Sequence, residues 1–216
     1  MNRCGCIEED SQQTPSSPGI VEPQESIVFA CVHPETAPER GVSMFQKTKL
    51  IKRDLSVCRG NHSRHSDLLC HVVEPQLTKK PAREYKGYYW ATCREIRDIV
   101  AELTGKKHSD NRTVGAFCVV DDALGDYTAH AVIGFSRPDN DFWEKHNREA
   151  ARGNLLVAVQ RRGLHCPADP AADDCPGFAN QSLSEPTRCS CLTTYFFGTW
   201  GGIQWLAQKI IRALIH

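Results

Sequence analysis

The residues best equipped for chemistry in this chain are its cysteines and histidines, which gather in two groups. Cys166, Cys175, Cys189 and Cys191, with His165 beside the first, lie in a stretch at 164–191 rich in Pro, Asp and Gly. Four thiolates make a tetrahedral zinc set, and a loop with little core of its own gains stability from such a staple. The C-x-C spacing at 189–191 departs from the usual C-x2-C knuckle, so ordinary thiols on a surface loop are the competing reading. Cys58, His62, His65 and Cys70, followed by His71, form the second group, C-x3-H-x2-H-x4-C-H. It offers enough ligands for zinc but matches no established finger spacing, and solvated histidines in a Ser- and Arg-rich loop explain it equally. Cys4 and Cys6 repeat the C-x-C pattern near the start.

His130 could move a proton, with Arg137 as an anion clamp a few residues later. A lone histidine in a strand is more commonly structural. Asp121, Asp122 and Asp126 could attract a hard divalent ion, although acidic hairpin turns are common without one. Cys118, in apolar company, is expected to be an inert buried thiol. No P-loop, G-x-S-x-G, H-E-x-x-H or dinucleotide fingerprint is present.

The cations form two runs. Lys47, Lys49, Lys52 and Arg53 open a basic stretch that continues through Arg64. Lys145, Arg148 and Arg152 are spaced i, i+3, i+7, which on a helix places them on one face. Such a face could meet phosphates or an acidic protein; a solvated face paired with Glu144 and Glu149 is the alternative. Overall charge is balanced, with 26 basic and 26 acidic residues, so no global field draws the chain to nucleic acid or membrane. The balance hides a gradient: residues 1–30 are acidic and 45–65 basic. No run approaches the ~18 apolar residues of a membrane span. The eleven cysteines, an odd number without an apolar export signal before them, point to a reducing cytoplasm and free or metal-bound thiols.

These groups must be positioned by 216 residues, the length of one ordinary domain with appendages. Residues 1–25, polar and acidic, are expected to form a disordered tail. Residues 26–82 are a basic segment holding the Cys/His group, with a strand at IVFAC (27–31) and FQKTKLIKRDLSVC suiting a helix or an edge strand. The linker EPQLTKKPARE sets a boundary near Arg83. Thr92 and Glu95 form a capping box, and Ile96, Ile99, Val100 and Leu103 follow the spacing of one helical face, predicting a helix ended by Gly105. Thr113–Val120 and Tyr127–Ser136 predict a hairpin, with Ala129, Ala131, Ile133 and Phe135 on one face and His130 on the other. A second capping box, Asp141 with Glu144, opens a helix that Gly153 interrupts; LLVAVQ after it suits the helix's end or a third strand, with the strand preferred. A short strand at 195–200 and an amphipathic helix at 201–216 close the chain.

The segment GFSRPDNDFWEKHNREAARGNLL resembles the strand–turn–helix piece of small uncharacterised proteins carried by bacteria, phages and plasmids. The matching positions are Ser136, Pro138, Asp139, Phe142, Lys145, Arg148 and Gly153, while Asn154 stands where those proteins tend to have Arg. The resemblance covers about a tenth of the chain and implies a compact α+β unit.

The expected architecture is therefore an α+β domain over 83–216, with an antiparallel sheet built on the 113–136 hairpin and packed with two or three helices. The leading functional expectation is a small binding or regulatory protein acting through its basic faces on nucleic acid or an acidic protein. A zinc-dependent enzyme and a partner-dependent protein docking through its terminal helix are the alternatives.

Overall fold

Strands alternate with short helices from Ser26 onward, and every strand pairing is antiparallel. The structure, a computed structural model, describes residues 17–33, 45, 47–52, 54–80, 83–105, 108–136, 145–165 and 175–178, all within the unit Met1–Gln181. A five-stranded sheet runs β3 (Glu84–Thr92), β1 (Ser26–His33), β2 (Leu55–Arg59), β7 (His130–Phe135), β6 (Phe117–Asp121). A separate two-stranded ribbon joins β4 (Val100–Gly105) to β5 (His108–Gly115). The fold is α+β, as the alternation of residue types implies.

Both faces of the sheet are covered. On one face lie α1 (Lys47–Lys52), α4 (Cys93–Arg97) and α5 (Lys145–Gln160). Their Leu50, Ile96, Ala151, Leu155 and Val159 pack with Ile27, Phe29, Val57, Ala131, Ile133 and Phe135. On the other, α2 (His65–Leu68), a π turn over Leu69–Val73 and α3 (Glu74–Lys79) place Leu68, Val72, Val73 and Leu77 against Val28, Val32, Cys58 and Tyr88. Burying the two faces of a sheet under helices removes its apolar side chains from water at roughly 25 cal/mol per Å².

Several expectations change. The predicted helix through Leu103 stops at Arg97, and Val100–Gly105 is strand β4. The capping box is formed as expected, Glu95 N donating to Thr92 Oγ1 at 3.2 Å and Thr92 N to the Glu95 carboxylate at 2.7 Å. Beyond it, buried Ile99 and Ala101 flank exposed Val100, which is the period of a strand. Cross-strand pairing of Val100 with Gly115 outweighs the weak helical preference of a β-branched run. The hairpin is present, but its first strand divides at Ala116: Thr113–Gly115 belong to β5, and only Phe117–Asp121 pair with β7. Ala131, Ile133 and Phe135 share the face assigned to them, whereas Ala129 precedes β7 and packs on the other. LLVAVQ continues α5 through Gln160 rather than forming a strand, because Leu155, Ala158 and Val159 prolong the buried helical stripe set by Asn147 and Ala151.

The segment FQKTKLIKRDLSVC yields both elements that suited it, helix α1 and then strand β2. β2 is not an edge strand; it lies between β1 and β7. The linker at 74–84 is largely α3, which runs on from the π turn and carries Pro75 as its second residue. Since β3 pairs with β1 along nearly its whole length, the boundary near Arg83 does not divide the sheet. Within the expected tail, Ser17–Glu25 lies on the domain with Val21 in the core and Glu25 buried. The strand at 195–200, the terminal helix and the second capping box lie outside the described residues.

Candidate functional site

One hydrogen bond links the second cationic run to the residue just before the first. α5 buries Asn147, Ala151, Leu155, Ala158 and Val159, and Arg148 and Arg152 are partly covered. From that helix Arg152 Nε donates to the backbone carbonyl of Phe45, two residues before α1, at 2.9 Å. Phe45 itself is anchored edge-on against Phe29 beneath. Lys145, Arg148 and Arg152 are borne by α5, and Lys47, Lys49 and Lys52 by α1; Arg53 lies outside the described residues. Among the described residues, Asp54 is ion-paired with Lys49 and Glu149 with Arg152. Arg152 is therefore partly spent on the fold, Arg148 is half-buried and Lys52 is exposed.

The basic stretch 55–64 does not extend that surface. Arg59 is 1% exposed and Arg64 caps α2, where its own N–H donates to Asp67 at 2.8 Å. Arg59 stands third in the alternation Leu55, Val57, Arg59, so its side chain enters the sheet face that its apolar neighbours share. Its guanidinium donates to both oxygens of Glu25, at 2.8 and 2.6 Å, to Asp121 Oδ1 at 2.7 Å, and to the carbonyl of Gly19 at 2.7 Å. Ser17 Oγ donates to the other oxygen of Asp121. His62 reaches to within 3.6 Å of Glu25. Burial by itself would raise the Glu25 pKa; hydrogen bonds from His62, Arg59 and the Glu22 backbone outweigh it and bring the carboxyl down to about 2. Burial works against the charge on Arg59 as well, but Glu25 and Asp121 raise its pKa nonetheless. The acidic and basic arms of the charge gradient meet here. Sequence reasoning passed over Arg59 and Glu25; the signal was a cation in phase with an apolar strand face.

On the opposite face of the same strands lies His130, Cα partner of Cys58 across β2 and β7. Its Nδ1 contacts the backbone carbonyl of Asp122 at 2.8 Å and the Asp122 carboxylate at 3.1 Å. Both neighbours are acceptors, so the ring proton resides on Nδ1 and Nε2 presents its lone pair. Nε2 makes no hydrogen bond and is not sealed from water among the described residues. Tyr127 stands beside the ring at 6.3 Å, and His71 stacks on Tyr127 at 4.6 Å and 10°. Beneath them the Cys58 and Ser63 side chains are 2.7 Å apart. Burial pushes the Cys58 thiol up to about 12 and Tyr127 well above the usual phenol range, so both stay protonated and neither is a nucleophile. The other half of the proposed catalytic pair, Arg137, lies outside the described residues.

The Cys58, His62, His65, Cys70 group is not brought together. Cys58 is with Ser63, His62 with Glu25, His65 Nε2 with the Tyr85 hydroxyl at 2.9 Å, and Cys70 is disulfide-bonded. β2 carries Cys58 into the sheet while the histidines ride on the turns that follow, so tertiary packing separates residues that sequence spacing placed side by side. Cys118 is disulfide-bonded too, which replaces the expectation of an inert thiol there. The acidic turn also diverges: Asp121 faces Arg59, Asp122 faces His130, and Asp126 is exposed. Among the described residues no cluster of His, Cys, Asp or Glu is arranged to hold a metal ion. Of the 166–191 group only Cys175 is described, buried in the cluster that holds Tyr88 and Phe178 and not in a disulfide; Cys166, Cys189 and Cys191 lie outside. Among the described residues no helix is long and apolar enough to cross a membrane.

No family model, curated protein or solved structure matches the chain.

Proposed function

We propose that the chain is a binding protein whose α1/α5 seam receives an anionic partner, a nucleic acid or an acidic protein surface. The observation that supports this reading is the Arg152–Phe45 contact, which ties α5 to the residue two before α1. A cationic surface of this kind acts through phosphate or carboxylate neutralisation, so affinity falls with ionic strength. The test is fluorescence anisotropy of a labelled DNA duplex and of a labelled poly-glutamate over a salt series, for the full chain and for Lys52→Glu. Binding to either anion that weakens in salt and in the variant supports the seam. Affinity indifferent to both would refute it.

A second reading is favoured by a separate observation, the hydrogen-bonded Asp122–His130 pair with Nε2 open. A histidine so oriented can take a proton at Nε2 while the carboxylate stabilises the imidazolium. This assigns an acid–base role to His130 without zinc, and turnover of an activated ester that survives His130→Gln counts against it. Zinc remains a proposal for the 166–191 loop alone, to be settled by elemental analysis of wild type and Cys189→Ser. The disulfides of Cys70 and Cys118 favour an oxidising compartment over the expected cytoplasm, which mass analysis of natively isolated protein before and after reduction tests.

A further inference from the structure

Arg59 and His130 lie on opposite faces of the sheet, and the backbone connects them twice. Through its guanidinium Arg59 holds Asp121, the residue before Asp122. Through its backbone N–H it donates to the carbonyl of Ala129, the residue before His130, at 2.8 Å. Both members of the Asp122–His130 pair thus follow a residue that Arg59 fixes. Asp122 N also donates to the His130 carbonyl at 3.2 Å, closing the corner between the two strands. Arg59 is in turn held from the far side by Ser17–Glu25: by the Glu25 carboxylate and by the carbonyls of Gly19 and, at 3.4 Å, Ile20. Ser17 reaches past Arg59 to Asp121 directly.

We propose that Arg59 is a positioning residue for the Asp122–His130 pair and that the Ser17–Glu25 strap holds it in that role. This rests on the second reading above and is independent of the cationic seam. The physical reason is the shared Asp121–Asp122 peptide. A buried carboxylate that loses its guanidinium must find other donors or rotate toward water, because leaving it unpaired in low dielectric is costly. Movement of Asp121 displaces the peptide that carries the Asp122 N–H, the donor to the His130 carbonyl, and with it the residue whose carbonyl and carboxylate accept from His130 Nδ1. The strap makes the pair sensitive to a segment nearly a hundred residues away in sequence. Anything that draws Ser17–Glu25 off the sheet would loosen the proton-bearing nitrogen of His130 without touching it.

The experiment is long-range 1H–15N NMR of the histidine side chains, which separates the two neutral tautomers, on full-length wild type, Arg59→Met and Ser17→Ala. In wild type at a pH where the ring is neutral, His130 is the Nδ1–H tautomer. In Arg59→Met its ratio shifts toward Nε2–H by roughly fivefold, what one net hydrogen bond is worth, and in Ser17→Ala by less in the same direction. His71, which stacks on Tyr127 and does not touch Asp122, serves as the internal control and stays unchanged. Should Arg59→Met fail to fold, Ser17→Ala and Arg59→Lys carry the test. A His130 that remains Nδ1–H in every folded variant overturns the positioning role and leaves the pair intact. A wild-type His130 that is not Nδ1–H overturns the pair and the positioning role together.

Discussion

Glu25 offers the sharpest quantitative test of the buried ion-pair cluster. Its side chain is 6% exposed and its pKa falls from 4.5 to about 2 on folding. One unit of pKa is worth about 1.4 kcal/mol of differential stabilisation, so ionised Glu25 contributes roughly 3 kcal/mol. Because the folded-state value is depressed, that contribution is complete above pH 4.5 and is lost as pH falls through about 2. The measurement is urea unfolding of wild type and Glu25→Gln at several values between pH 2 and 7. At neutral pH the variant should be less stable by about 2–3 kcal/mol, a loss moderated because Arg59 keeps Asp121 as a partner. Between pH 4.5 and 2 the gap should close, since protonated Glu25 and Gln are nearly equivalent. Carboxylates that do not contact Arg59 titrate in both proteins and cancel in the difference. A stability gap that does not change with pH would mean that Glu25 is not held ionised by Arg59 and His62, and the account of the cluster would be wrong.

The glycines give two predictions of opposite sign. A Cβ at Gly153 meets nothing within 4 Å, so Gly153→Ala should stabilise α5 by about 0.5–1 kcal/mol in thermal or chemical unfolding. Gly177 has φ +89° and a Cβ there would sit 2.7 Å from Trp90 Cγ, so Gly177→Ala should destabilise by more than about 1 kcal/mol. Cys58 and Cys93, both 0% exposed, should resist iodoacetamide in the native protein and react in guanidinium; native alkylation at either would contradict their burial. Arg162 pairs with both oxygens of Glu95, at 2.8 and 3.0 Å, and lies 4.2 Å over the Trp90 ring. Replacing it with Ala should cost about 1–2 kcal/mol, and a Trp90 fluorescence spectrum unchanged in Arg162→Ala would count against the stacking.

Much of the local structure is legible without coordinates. The capping box at Thr92 and Glu95 names its own donors and acceptors, and forms. The face of β7 follows from the period-two alternation of Ala131, Ile133 and Phe135, whereas the apolar stripe that carries α5 through LLVAVQ was not read from the sequence. The failures share one cause. Ile96, Ile99, Val100 and Leu103 satisfy a helical spacing, yet a turn followed by a strand satisfies it too, and only the presence of Gly115 and Val114 opposite decides between them. FQKTKLIKRDLSVC suited two elements and contains both. The candidate site was half legible: His130 stood out as a polar residue on a strand, while its partner Asp122 passed for an ordinary turn carboxylate.

What the sequence by itself determined is the class of the fold, the strand and helix faces, and the identity of groups able to carry charge or protons. These depend on residue type and short-range period, and both are written along the chain. Only the tertiary structure decided which charges meet. Arg59 is exposed and basic by composition but buried and neutralised in fact, because two carboxylates at 34 and 62 positions' distance close on it. The Cys58–His62–His65–Cys70 group is compact in sequence and dispersed in space, because β2 enters the sheet and the chain after it does not. Electrostatic partnership is set by distance through space and by desolvation, and neither is a function of separation along the chain.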